Sequence, residues 1–370
     1  MLEIYQTNTA YDTPAGAVDF MGDLAARRRS RCSARQSANG SLVPPDATSA
    51  QPLKTAEEAR SPMPQDEPIG DDLHASVRTM HEGEVEIDAQ LVRRLLVEQF
   101  PHLSGLPLGE VRPTGTVNAM FRLGADLCVR MPRVSSWADS LAKELEWLPK
   151  LARHVPLAIP EPVAIGKAGS GYAFPWAVYR WISGETYARD RVHDEGQAAA
   201  GLANFVAHLR RVDPAGGPPT GRAPLLELDA DTRASIGSLH DALDAEAVTA
   251  AWDISLEAPP WNGEPVWMHC DLIPPNLLVD DGQVKAVIDF GSAGIGDPAQ
   301  DVVPAWSVFG REGRQAFRHA LGVDDSTWAR ARGFALHQAV MIIPYYADTN
   351  PAFVLMARRT IGGVLDDINA

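Results

Sequence analysis

Cysteine is scarce in this chain of 370 residues: Cys32, Cys128 and Cys270 are all it holds. Three thiols cannot staple a protein of this length, so a disulfide framework is excluded and a reducing compartment is expected. Long apolar runs are missing too, none approaching the ~20 residues that carry a helix across a bilayer. The opening stretch has neither the basic start nor the apolar core of a secretory signal, and a cytoplasmic protein is expected. No internal repeat recurs at a solenoid period, which sets that architecture aside. Positive charge is in deficit, with 33 Lys and Arg against 48 Asp and Glu and a formal net charge of −15. Such a chain repels nucleic acid and anionic membrane, and neither is expected as a partner; cationic or metal-bearing ligands are favoured.

What is present is unevenly distributed. Residues 182–370 carry 26 acidic against 14 basic side chains, so most of the negative charge lies in the second half. Residues 1–80 read as an extension, disordered or weakly docked, because Ser30 to Asp72 is rich in Ser, Ala, Pro, Gln and Glu with little to repay ordering entropy. Asp19 could cap a short helix over residues 19–29, and Arg27, Arg28, Arg29, Arg31 and Arg35 form a basic cluster there.

From residue 81 the pattern becomes that of a folded protein. Asp88 precedes a run in which Leu91, Leu95, Leu96 and Phe100 recur at helical spacing, ended by Pro101. Short extended runs follow over 106–131, with a hairpin turn at Gly124-Ala125-Asp126. Trp137–Val155 is helical in pattern, but Pro149 predicts a kink or two short helices. Two further extended runs close a first lobe spanning 81–181. The second lobe, 182–370, is mostly helical: residues 197–212, 231–251, 301–309, 311–320, 326–341 and 351–368 carry helical patterns. They surround a short hairpin, Leu277–Val279 with Val284–Ile288, turning at Asp280-Asp281-Gly282.

Chemistry concentrates around that hairpin. Asp271, Asn276 and Asp289 stand in otherwise apolar sequence, and the Asp-x4-Asn spacing, followed thirteen residues later by an acid ending an apolar strand, can converge three oxygens at one point. Mg²⁺ uses few protein ligands when phosphates supply the rest, and phosphoryl transfer needs such a set of groups.

His269-x-Asp271-x4-Asn276 followed by Ile288-Asp289-Phe290-Gly291, with Gly296-Asp297-Pro298-x-x-Asp301 just beyond, resembles the signature of the aminoglycoside phosphotransferase family. The resemblance covers roughly residues 85–368. It implies an α+β, protein-kinase-like fold with a small antiparallel-sheet N-lobe and a mainly helical C-lobe. It also implies Mg²⁺-dependent transfer of a nucleotide γ-phosphate, from ATP with GTP as the alternative, to a hydroxyl of a small acceptor. Carried over by position, Asp271 is the base, Asn276 and Asp289 are the metal ligands, and His269 supports the loop. Asp297 and Asp301 hold the loop and the following turn, and Asp297 also counts, with Tyr345 and Asp348, among the acceptor-binding candidates. Gly115, Thr116 and Asn118 resemble the phosphate-covering turn. Arg130 stands where the fold usually has a lysine, with Glu144 as its partner and Glu146 as the alternative. Residues 178–182 would form the interlobe connection, with Tyr179 and Trp181 beside the nucleotide.

The sequence departs from the family at Cys270, where glycine is usual. The acidity of the second half would attract a cationic sugar such as an aminoglycoside. A macrolide or another hydroxylated metabolite as acceptor, and a non-catalytic nucleotide-binding protein, are the alternatives. A protein kinase is disfavoured because Gly296-Asp297-Pro298 arrives only five residues after Gly291, leaving no peptide platform. Oligomeric state is unreadable at this level.

Overall fold

The computed structural model describes residues 85–111, 118–220, 222–240 and 243–370. The 1–80 extension, its basic cluster, and Gly115 and Thr116 lie outside the described residues.

The first lobe is built on α1 (Ala89–Gln99), β1 (Leu108–Glu110), β2 (Asn118–Leu123), β3 (Leu127–Pro132), α2 (Ser135–Leu151), β4 (Pro162–Gly166) and β5 (Trp176–Arg180). Asp88 starts α1 by accepting the Leu91 N–H at 2.7 Å. The five strands form an antiparallel sheet in the order β1-β2-β3-β5-β4, and Gly124, at φ 64°, turns β2 into β3. Strand alternation sorts the two faces. Phe121, Leu123, Val129, Met131 and Val178 meet Leu91, Val92, Leu95 and Leu96 of α1 in one apolar cluster. Each such side chain contributes about 1.5–3 kcal/mol by leaving water. Met120, Cys128, Arg130 and Tyr179 take the opposite face, toward the second lobe.

The second lobe begins with β6 (Glu185–Thr186) and α3 (Glu195–Leu209), then α4 (Asp229–Ser238), α5 (Ala245–Leu256), β7 (Val266–Met268), β8 (Leu277–Asp280), β9 (Gln283–Val287) and β10 (Gly294–Gly296). It ends with α6 (Pro304–Ser307), α7 (Arg311–Leu321), α8 (Asp325–Tyr346) and α9 (Pro351–Ile368). Phe205 and Leu209 of α3, Trp252 of α5, Phe317 of α7, Leu336 and Val340 of α8, and Ile361 of α9 share its core. No described helix is long and apolar enough to cross a membrane.

Three helical readings change. The Pro149 segment is one helix, because the proline falls in the last turn of α2 and forfeits a bond only where the helix is already ending. The 231–251 pattern is two helices, α4 and α5, the second restarted by Asp244, which accepts the Ala247 N–H at 3.0 Å. The 301–309 pattern is a 3₁₀ turn over Pro298–Val302 followed by the single turn α6, each opening on a proline.

Two small pairings, β6-β8-β9 and β10-β7, shape the site. The β8–β9 hairpin is fastened beneath the first lobe by Ala158, whose N–H donates to Lys285 O at 3.0 Å and whose carbonyl accepts from Val287 N–H at 2.9 Å.

Candidate active site

The loop from His269 to Ile273 leaves β7, and the 3₁₀ turn Pro274–Asn276 leads into β8. Leu277 pairs with Val287, and Ile288 N–H donates to Asn276 O at 2.9 Å. The hairpin register therefore brings Asn276 beside the strand end that carries Asp289. Asn276 Nδ2 donates to both the carbonyl and Oδ2 of Asp271, each at 2.9 Å. Its Oδ1 is buried and has no hydrogen-bond partner among the described residues. On the other side, Arg130 of β3 places Nη2 3.6 Å from Asp289 Oδ1 and Nη1 2.6 Å from Glu144 Oε2 of α2. Asp271, Asn276, Asp289, Arg130 and Glu144 are all buried.

Glu144 rather than Glu146 holds the arginine; Glu146 pairs with Lys150 at 2.9 Å. Burial pushes the Glu144 carboxyl up while Arg130 pulls it down, and Glu144 and Asp289 strengthen the hold of Arg130 on its proton.

Asp301 anchors the loop, its carboxylate accepting the N–H groups of His269 at 2.8 Å and Cys270 at 2.7 Å. His269 is fully buried against Phe290, with ring centroids 4.6 Å apart. Its Nε2 lies 3.0 Å from Ile288 O and its Nδ1 accepts the Asp271 N–H at 3.2 Å, an arrangement that puts the single ring proton on Nε2. Burial lowers its pKa from 6.5 to about 3, so the ring is neutral and both nitrogens are engaged. Cys270 and Asp289 adopt φ of 66° and 64°, the left-handed region that costs a non-glycine residue about 1–2 kcal/mol. Glycine at position 270 would adopt this conformation without strain, whereas Cys270 carries a Cβ there.

Arg130, Tyr179, Trp181 and Asp289 line one cleft between the lobes, with Met120, Cys128 and Ile288. The Arg122 guanidinium lies over the Trp181 ring at 4.1 Å. Asn118 is buried at the start of β2, opposite Pro132, and does not join that lining.

The other candidates lie elsewhere. Asp297 caps the 3₁₀ turn through Ala299 N–H at 2.9 Å and takes a two-pronged contact from buried Arg330, at 2.8 and 3.2 Å. Tyr345 is half-buried at the end of α8 with its ring edge-on to Tyr346, and Asp348 is exposed in the next turn.

Two neighbours of Asp271 escape sequence reasoning. Gln338 of α8 donates from Nε2 to Asp271 Oδ1 at 3.2 Å, and Arg222 donates to Cys270 O at 3.0 Å with Nη2 4.0 Å from Asp271 Oδ1. Neither carries a signal: Gln338 is one polar residue in a long helix, and Arg222 sits in a Gly/Pro-rich loop. Tyr345, seven residues beyond Gln338, lies two turns along the same face of α8.

His337, one residue before Gln338, is also buried, with Nδ1 2.8 Å from Thr232 Oγ1 and its pKa lowered by burial, and further by Arg222, to about 3. Both histidines are thus neutral in the fold at pH values where an exposed histidine is charged. Their stabilisation is complete above pH 6.5 and is lost as pH falls from there toward 3. Urea unfolding at pH 7 and pH 5.5 should show stability dropping by about 1.2 kcal/mol for each histidine, the slope steepening toward about 1.4 kcal/mol per pH unit below that range. His337→Asn should remove about half of that slope.

A sheet-based lobe over a helical lobe, with Arg130 of the first 3.6 Å from Asp289 of the second and Asp271 hydrogen-bonded to Asn276 on the same hairpin, defines a two-lobed phosphotransferase of protein-kinase-like architecture. The chain belongs to the phosphotransferase enzyme family, whose sequence model matches residues 110–334. It is 26% identical over 210 residues to an aminoglycoside 3'-phosphotransferase of Escherichia coli, covering 51% of this chain and 72% of that protein. Among solved structures, a GDP complex of an aminoglycoside 2'-phosphotransferase-IIIa mutant superimposes with a TM-score of 0.61 at 22% identity, covering 76% of this chain and 99% of the other. A macrolide 2'-phosphotransferase type I superimposes with a TM-score of 0.53 at 18% identity, over 75% and 98% of the two chains. The protein is accordingly a phosphotransferase acting on a small-molecule hydroxyl.

Proposed function

We propose that this enzyme transfers the γ-phosphate of ATP, with Mg²⁺, to a hydroxyl of a small molecule, and that Asp271, Asn276, Asp289, Arg130 and Glu144 form its reaction centre. The observation that carries this reading is the hairpin register, in which Ile288 N–H bonds Asn276 O and sets Asn276 beside the strand end that carries Asp289. Asn276 Oδ1 is buried without a partner, a cost of about 1–3 kcal/mol that a bound cation would relieve.

Among the described residues no cluster of three or more His, Cys, Asp or Glu side chains could hold a metal by itself. One amide, one carboxylate and nucleotide phosphates make a fitting donor set for Mg²⁺. When bound there, the ion would neutralise charge on the phosphates. Asp271 takes the proton from the acceptor hydroxyl, Asn276 Nδ2 and Gln338 Nε2 fixing the direction of its carboxylate. His269 positions the loop and moves no proton. Arg130, steadied by Glu144, offers its guanidinium to the phosphates. Tyr179 and Trp181 flank the nucleotide base.

Cytoplasmic residence fits a nucleotide-dependent enzyme whose described cysteines, Cys128 and Cys270, are buried free thiols. The relatives' names make aminoglycosides and macrolides the first acceptors to assay, beside small hydroxylated metabolites. Purified protein should consume ATP when the right acceptor is added. Chelation with EDTA should reduce transfer to background, and added Mg²⁺ should restore it. Metal-independent turnover would remove Asn276 and Asp289 from the assigned role.

A further inference from the structure

Arg222 stands beside the proposed base, held there as a fixed charge. The loop that carries it is tied to β10: Thr220 N–H donates to Ile295 O at 3.3 Å, and Ile295 N–H donates to Pro218 O at 2.8 Å. A Cβ at Gly294 would come 2.6 Å from Pro218 O, so the absence of a side chain lets the loop close on the strand. Thr220 Oγ1 then accepts the Arg222 N–H at 3.2 Å. From this anchor the guanidinium donates to Cys270 O at 3.0 Å, with Nη2 4.0 Å from Asp271 Oδ1. The Arg222 side chain is 13% exposed and that of Asp271 2%, so of the two the arginine lies nearer open space. Its field also reaches behind the loop, where burial first and then Arg222 keep both His269 and His337 neutral.

The acids of this region do not offset that charge. Asp301 is engaged by the N–H groups of His269 and Cys270, Asp297 by Arg330 and by Ala299 N–H, and Asp289 faces Arg130. The face of α8 that reaches the base is neutral: Gln338, Met341 and Tyr345 recur on it at i, i+3 and i+7. The next acid along the chain, Asp348, lies roughly two turns beyond Tyr345's neighbour Gln338 and outside α8.

Pairing with Arg222 cancels the pull that Asp271 would otherwise exert on a cation. A reacting hydroxyl must come within ~3 Å of the base, and a substituent on the adjoining carbon lies ~3 Å further on. That substituent is therefore at most about 10 Å from the guanidinium, in a half-buried setting where salt screens charge weakly. Like charges set together at such a site reject the wrong ligand.

We propose that Arg222 determines the class of acceptor: the enzyme takes a hydroxyl flanked by neutral or anionic oxygen groups and rejects one flanked by an ammonium. This selection rests on Asp271 being the base, and it runs against the net acidity of residues 182–370.

The test uses the full chain with Mg²⁺ and ADP and three disaccharides of similar size: maltose, which is neutral; digalacturonate, an anion; and the dimer of glucosamine, with an ammonium beside its ring hydroxyls. Ligand-observed NMR should show the glucosamine dimer binding at least tenfold more weakly than the better of the other two. In Arg222→Gln the glucosamine dimer should gain at least threefold while digalacturonate loses at least threefold, opposite signs that a merely loosened loop does not produce. Arg222→Lys keeps the charge and should keep the parent's ranking; with the parent itself it decides the matter if Arg222→Gln fails to fold. A glucosamine dimer that binds the parent as well as the others, a ranking unchanged in Arg222→Gln or lost in Arg222→Lys, or no binding of any of the three would overturn it. A wrong ranking in an enzyme whose transfer is lost in Asp271→Asn defeats this selection alone, whereas transfer that survives Asp271→Asn defeats the proposed base beneath it.

Discussion

Asp271→Asn should lower phosphoryl transfer by about 10³-fold or more while ATP affinity changes less than about threefold. The large effect follows from what the amide lacks: general-base assistance is worth about 10²–10⁴-fold, and asparagine cannot accept the hydroxyl proton. Binding survives because Asp271 is absent from the lining of the interlobe cleft that holds Arg130, Tyr179 and Trp181. The neutral substitution keeps the side chain's shape and the bond from Asn276 Nδ2, while its new NH2 group requires the Gln338 amide to turn its oxygen inward, so circular dichroism and Tm should stay close to those of the parent. Single-turnover transfer with a confirmed acceptor, beside calorimetric ATP binding, separates the outcomes. Undiminished transfer would remove the proton-accepting role from Asp271, and loss of ATP binding would move that residue into the nucleotide site.

The same groups explain which parts of this protein are legible from its sequence. Strong periodicity is reliable where one face is buried: Leu91, Leu95 and Leu96 announce α1, and the apolar runs around Gly124 announce the β2–β3 hairpin. Periodicity fails where a helix is interrupted without losing its pattern, as between α4 and α5. There a local cap at Asp244 outweighs continuity. Proline is overread at position 149, because the effect depends on distance from the helix end and the sequence alone does not give that end.

Around Asp271 the distinction lies between neighbours along the chain and neighbours in space. Asp271 and Asn276 meet because five residues of tight loop leave little freedom, and the Ile288–Asn276 backbone bond sets the next residue, Asp289, at the same end of the hairpin because strand register is short-ranged. Gln338 and Arg222 reach Asp271 from a distant helix and an irregular loop, and only the packed fold brings them there. Net charge misleads for the same reason. The acidity of residues 182–370 is a sum over the surface, whereas the charge that meets Asp271 and Asp289 is a local arrangement of Arg222 and Arg130.

Arg130→Met should be the most destabilising single change at this centre, costing about 3–5 kcal/mol in urea unfolding, and should abolish transfer. Arg130 is 6% exposed and stands between two buried carboxylates, 2.6 Å from Glu144 and 3.6 Å from Asp289. Removing the cation leaves both acids in a poorly solvated setting, so they must protonate or draw water into the core. Arg130→Lys should keep most of the stability but only part of the transfer, since lysine supplies charge without the planar fork that reaches Glu144 and Asp289 together. Stability and chemistry separate in a double variant. Arg130→Met with Glu144→Leu replaces the buried pair by apolar groups of similar volume, and should recover at least about 2 kcal/mol of the loss. Transfer should stay absent, because the phosphates would still lack their guanidinium. Recovery of transfer together with stability would assign Arg130 a purely structural role; failure to recover stability would place its main burden on Asp289 instead of Glu144.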